Sequence, residues 1–184
     1  YLSQTDTSPQ AVASKVTFNG GTSGAVKLAP SYTVYKVGST YYAMDEDGNA
    51  TSNADFQTLY QTLLADNVWI HLKKSLGTTL VNSTLTATSI DGVKLTSERG
   101  AVLKAKNALN LELMDLNQCS NWLIEGITVD GNIVNQGDNR GSTGPYALDG
   151  IRINGGSNNL VNLVDVYNCG RHGVFFDHDA IQSG

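Results

Sequence analysis

Met114-Asp115-Leu116-Asn117-Gln118-Cys119-Ser120-Asn121-Trp122-Leu123-Ile124-Glu125-Gly126-Ile127-Thr128-Val129 returns as Ile151-Arg152-Ile153-Asn154-Gly155-Gly156-Ser157-Asn158-Asn159-Leu160-Val161-Asn162-Leu163-Val164-Asp165-Val166, 37 positions on (151 − 114). Apolar residues fall on apolar residues at Met114/Ile151, Leu116/Ile153, Leu123/Leu160, Ile127/Val164 and Val129/Val166, and Ser120-Asn121 recurs as Ser157-Asn158. A further copy opens at Gly173-Val174-Phe175-Phe176-Asp177, 23 positions after Gly150 (173 − 150). An earlier one is read at Gly92-Val93-Lys94-Leu95-Thr96, with Val93 lying 21 before Met114 (114 − 93). The spacing of 37 is then a repeat of ordinary size with an insertion at 131–147. Short alternating strands at a period in the low twenties predict a solenoid, one turn per repeat.

If the repeats stack, equivalent residues meet in columns about 4.8 Å apart. The offsets put Asp91, Glu112, Asp149 and His172 in one outward column, and Lys94, Asp115, Arg152 and Phe175 in a second. Thr96, Asn117, Asn154 and Asp177 make a third. Val93/Met114/Ile151/Val174 and Leu95/Leu116/Ile153/Phe176 point inward, because alternate strand residues face opposite sides. Adjacent carboxyls in the first column should raise the pKa of at least one of them. His172 beside Asp149 would make an acid/base pair working near neutral pH. The competing reading is turn chemistry, since Asp91, Asp149 and His172 each precede a glycine.

The totals narrow the class. In 184 residues, charged side chains are only 16% and glycines number 19, a balance that suits a turn-rich β protein. A net charge of −5 lacks the basic footprint of a nucleic-acid binder. No apolar run approaches the length of a membrane span. Cys119 and Cys169 occupy non-equivalent repeat positions and read as free thiols. With no initiator Met and no leader, the chain reads as a mature or excised piece.

Residues 1–51 read as a polar lead-in followed by a small β segment. Thr33–Val37 and Thr40–Met44 flank Gly38-Ser39 as a hairpin. Residues 52–66 read as a capping helix that begins at Ser52 and Asp55, with Phe56, Leu59, Tyr60, Leu63 and Leu64 on one face. Residues 67–184 carry the repeats, starting at Val68–Leu72, and are expected to stop inside the solenoid. Trp122 is expected in the core or in coil-edge packing, and His71 outward with no role.

Several phrases resemble the pectin-lyase-like superfamily of right-handed parallel β-helices. They are Asp149-Gly150-Ile151-Arg152-Ile153, Ser157-Asn158-Asn159-Leu160-Val161, Asn168-Cys169-Gly170-Arg171-His172-Gly173-Val174-Phe175-Phe176 and Ile127-Thr128-Val129-Asp130-Gly131-Asn132. The helix-then-strand entry at 54–72 is similar to the N-terminal cap of phage tailspikes. The resemblance implies an all-β, right-handed, single-stranded parallel β-helix with coils of about 21–23 residues. It also implies an extracellular or surface-exposed protein that binds, and as a lyase or glycoside hydrolase cleaves, a polysaccharide. The alternative is a non-enzymatic adhesin or a viral or cell-surface structural protein. Polygalacturonases follow an Asp-Gly-Ile coil with one reading Gly-Asp-Asp, but here Gly170 is followed by Arg171-His172, so that carboxylate pair is missing.

The expected catalytic residues are Asp149, His172 and Asp177. Arg152, Arg171 and, from the insertion, Asp138, Arg140 and Tyr146 are expected to hold substrate, because arginine pairs with carboxylates and tyrosine packs on sugar rings. No cofactor is expected, calcium being the one left open. The expected partner is a polysaccharide, with a homo-oligomer or a continuation past Gly184 covering the open end.

Overall fold

The computed structural model describes residues 29–137 and 149–177. The chain begins with β1 (Tyr32–Val37), β2 (Thr40–Asp45), β3 (Ala50–Asn53) and helix α1 (Phe56–Leu63). Twelve short strands follow: β4 (Trp69–Leu72), β5 (Thr78–Val81), β6 (Leu85–Thr88), β7 (Lys94–Ser97), β8 (Val102–Ala105), β9 (Met114–Asn117), β10 (Leu123–Glu125), β11 (Thr128–Asp130), β12 (Ile151–Asn154), β13 (Leu160–Asn162), β14 (Asp165–Tyr167) and β15 (Val174–Asp177).

These strands form three separate sheets, ordered β13-β10-β7-β4-β1-β2-β3, β14-β11-β8-β5 and β15-β12-β9-β6. From β4 onward the chain visits the three in rotation, and each ladder there is parallel. The expected single-stranded parallel β-helix is therefore corrected. The strands divide among three sheets, and the largest is mixed, because β1–β3 extend it as an antiparallel meander. The physical cause lies in the corners. Left-handed residues at Ser89, Gln118, Asn121, Gly126, Gly155, Asn158 and Leu163 turn the chain out of one sheet before the next strand starts, so consecutive strands there do not pair.

The core is made of inward columns. Ile70, Leu95 and Ile124 come from the first sheet, Leu103 and Val129 from the second, and Leu85, Met114 and Ile151 with Ala87, Leu116 and Ile153 from the third. The offset of 21 is corrected here. β9 pairs with Leu85–Thr88, 29 residues back (114 − 85), while Lys94 and Leu95 lie in the first sheet between Trp69-Ile70 and Leu123-Ile124. Val93 therefore does not share a column with Met114, Ile151 and Val174.

The helix is shorter than expected. Ser52 belongs to β3 opposite Tyr42, and the N-cap is Asp55, whose carboxylate accepts from Thr58 N at 2.8 Å. Its apolar face buries Phe56, Leu59, Tyr60 and Leu63. On the other side, Gln57 and Gln61 donate to the carbonyls of Thr84 and Thr86, at 3.3 and 2.9 Å, beside the unpaired edge of β6. Edge carbonyls answered by side chains are closed to strand addition. Among the described residues no helix is long and apolar enough to cross a membrane. Trp122 is in the core and donates from Nε1 to Ile90 O at 2.6 Å. Cys119 and Cys169 are free thiols, and burial pushes Cys169 up to about 11.

Candidate functional site

The outer face of the β6-β9-β12-β15 sheet gathers most of the candidates. Strand register aligns Thr86, Asp115, Arg152 and Phe175 in one row, and Thr88, Asn117, Asn154 and Asp177 in the next. At the mouths of the strands, Leu113 N donates to Asp149 O at 3.1 Å and Gly150 N to His172 O at 2.9 Å. Those bonds stack Glu112, Asp149 and His172. Three members of the first expected column thus meet. Asp91 does not join them, because its carboxylate accepts from Ser120 N at another corner. Lys94 and Thr96 leave their columns too: Lys94 lies 3.9 Å over the Trp69 ring, and Thr96 Oγ1 is bonded to Trp69 and His71.

Asp149 and His172 are in contact. The Asp149 side chain is 0% exposed, and Oδ1 accepts from His172 N at 3.0 Å and lies 3.0 Å from His172 Nδ1. Arg171 closes the other side, with Nη2 donating to Oδ2 at 2.9 Å and Nε to Oδ1 at 3.3 Å. Arg171 Nε also donates toward His172 Nδ1 at 3.1 Å. Nδ1 thus lies between a carboxylate and an N–H: with its hydrogen on Nδ1 the ring donates to Asp149 and leaves Nε2 as the acceptor, and with the hydrogen on Nε2 the ring accepts from Arg171. The imidazole stays 44% exposed and lies flat on Phe175, with ring centres 4.7 Å apart and planes 11° apart. Arg171 sits 5.0 Å over the same ring.

A second held pair lies one row further on. Arg152 Nη2 donates to Asp177 Oδ2 at 2.7 Å, with side-chain exposures of 6% and 35%. Each outward group is therefore held by a buried one: His172 by the Asp149 carboxylate, and Asp177 by the Arg152 guanidinium. The Asp149 carboxylate is enclosed behind the His172 ring, and the Arg152 guanidinium lies against Asp177 on the outer face.

Glu112 and Asp115 are the site residues that sequence reasoning left without a role. Burial raises the pKa of Glu112, with Asp115 and Asp149 adding to the rise while its own backbone N–H and Arg152 oppose it. Burial also raises Asp115, against Arg152. The signal was present in the repeat, since Glu112 lies 37 before Asp149 (149 − 112).

Asp138, Arg140 and Tyr146 lie outside the described residues. Of the insertion, the described part holds a short 3-10 turn at Ile133–Asn135 and a buried amide knot at Asn132, whose Nδ2 donates to Ala105 O at 2.9 Å. Among the described residues no group of three or more His, Cys, Asp or Glu is arranged to hold a metal. No protein-family model matches the chain, and no curated protein or solved structure is significantly similar to it.

Proposed function

We propose that the outer face of β9, β12 and β15 binds a polysaccharide and cleaves it, with His172 as the group that moves the proton, in a lyase or glycoside hydrolase reaction. One observation carries this reading: the contact between the enclosed Asp149 carboxylate and the half-exposed His172 ring. A buried carboxylate on Nδ1 fixes the tautomer, aims Nε2 away from itself and stabilises the imidazolium formed when Nε2 takes a proton. In hydrolysis that proton would come from the attacking water, whose oxygen bonds to the anomeric carbon as the glycosidic C–O bond breaks, and the leaving oxygen would take its proton from solvent. In β-elimination it would come from the carbon beside a uronate carboxyl; the C–H electron pair becomes the new C=C bond as the glycosidic C–O bond breaks, and the leaving oxygen would take up a proton from the imidazolium or solvent.

Asp177 is the second outward ionic group, and its position is set by Arg152. Phe175 supplies an apolar floor beside them. The phrases around Asp149 and Asn168–Phe176, with their likeness to carbohydrate-active repeats, point the same way, and the polymer would be met outside the cell. A non-enzymatic glycan-binding scaffold is favoured by the stacked Ser120/Ser157 and Asn121/Asn158 pairs, 3.4 and 3.3 Å apart, which serve only to hold corners together.

The test is a panel of neutral and acidic polysaccharides incubated with the intact chain, read by reducing ends and by ultraviolet absorbance of unsaturated products. Cleavage that disappears in His172→Ala and falls in Asp177→Asn supports the enzyme. Binding without cleavage that survives both substitutions transfers the face to the scaffold reading. No binding and no cleavage would sink both.

A further inference from the structure

We propose that Glu112 and Asp115 hold one proton between them, and that this proton decides how firmly Arg152 grips Asp177. Glu112 is thereby a positioning residue for the outward carboxylate of this face, whether or not the face cleaves a glycan.

The argument starts from two buried oxygens. Glu112 Oε2 and Asp115 Oδ1 are both shut off from solvent, and neither meets a hydrogen-bond donor. A buried acceptor without a donor is costly, the more so if charged, so two of them at the mouth of one strand demand an explanation. The carboxyls are three residues apart at the mouth of β9, and each feels the other's neighbour Arg152. One proton resolves both deficits, because Glu112 Oε2–H can donate to Asp115 Oδ1. It also removes one of two adjacent buried anions, the arrangement in which paired carboxyls share a proton.

The nearest described hydroxyl and carboxylate are already spent. On the β6 side, the register neighbour of Asp115 is uncharged Thr86, and the Thr84 hydroxyl is spent on Glu112 O at 2.8 Å. On the β12 side stand Asp149, already closed by Arg171 and His172, and Arg152. On the β15 side stand Phe175, in register with Arg152, and Asp177, reached through that arginine. One guanidinium thus faces Glu112, Asp115 and Asp177. With the proton in place one anion fewer competes with Asp177 for Arg152. When the proton leaves, the doubly charged pair draws the guanidinium inward and the hold on Asp177 slackens.

Carbon-detected NMR of the intact 184-residue chain, labelled at Glu and Asp carboxyls, tests this directly. Glu112 and Asp115 should titrate as a coupled pair, with one step above the ordinary carboxylate range, and the Asp177 signal should move with that step. In Glu112→Gln, whose amide N–H replaces the shared proton, the upper step should vanish and Asp177 should cease to follow it. Ordinary, independent titration of Glu112 and Asp115 in the wild-type chain overturns the proposal without any variant. So does an Asp177 signal that ignores the pair.

Discussion

Asp149 and His172 lie 23 residues apart in the chain, yet Asp149 Oδ1 accepts the backbone N–H of His172 at 3.0 Å and lies 3.0 Å from its ring Nδ1. Because the carboxylate also takes Arg171, the turn between β14 and β15 is tied to the start of β12 by one side chain. Asp149→Ala removes a buried anion that answers two partly exposed groups. The expected cost is about 3 kcal/mol, the lower end for breaking a buried pair because the partners retain some water. Urea denaturation measures it. His172→Ala should cost far less, since the ring is half in solvent, and a larger loss than for Asp149→Ala would contradict this hierarchy.

Glu112 gives a pH signature. Burial sets its folded pKa above its ordinary 4.5, so stability is fully present below that value and is lost as pH rises through the folded pKa. Glu112→Gln carries no charge at any pH. Its stability relative to the parent should therefore climb between mildly acidic and neutral conditions and level off above. A difference that stays constant across this range would show that Glu112 does not titrate with folding.

Gly156 has φ +74, and a β-carbon there would run into Cys119 O, so the corner has no room for a side chain. Gly48 has φ +84 but open space around it. Gly48→Ala should cost about 1–2 kcal/mol, the left-handed penalty alone. Gly156→Ala should cost clearly more, because Cys119 must also move. Thermal denaturation of the two variants side by side separates backbone strain from collision, and equal losses would refute the distinction.

At the other end, Asp55 caps α1 through Thr58 N and also takes Asn82 Nδ2 at 2.6 Å. Asp55→Ala should lower stability by about 1 kcal/mol, typical of a lost N-cap. Asp55→Asn should recover much of that, since an amide oxygen still accepts from Thr58 N. If the asparagine variant is as damaged as the alanine one, charge rather than capping is at work.

What was legible in the sequence follows from how side chains alternate. The 37-residue offset predicted the pairings Met114↔Ile151, Leu123↔Leu160 and Val129↔Val166, because identical turns at Ser120-Asn121 and Ser157-Asn158 fix the phase. Asp149 over Glu112 came with it, and the separate offset of 23 gave His172 over Asp149. The copy at Val93 failed because inside/outside alternation looks the same in every sheet. Lys94-Leu95-Thr96 has the same pattern as Leu85-Thr86-Ala87-Thr88, and nothing in a period of two says which sheet a strand joins. The third antiparallel strand was hidden for a similar reason: Ala50–Asn53 is short, polar and almost wholly solvent-facing, so no apolar alternation marks it. Burial of Asp149 was illegible, since it depends on Arg171 folding over it from the next row.

The offset of 37 separates β9 from β12, β10 from β13 and β11 from β14 alike, although β12 and β15 are only 23 apart (174 − 151). The corner after β11 thus absorbs extra chain while each ladder keeps its phase. Contour length and alignment are uncoupled at that point, so lengthening, trimming or grafting there can alter what the neighbouring face presents and leave the remainder undisturbed. Such a corner gives selection, or an engineer, a place to vary the chain without remaking the scaffold.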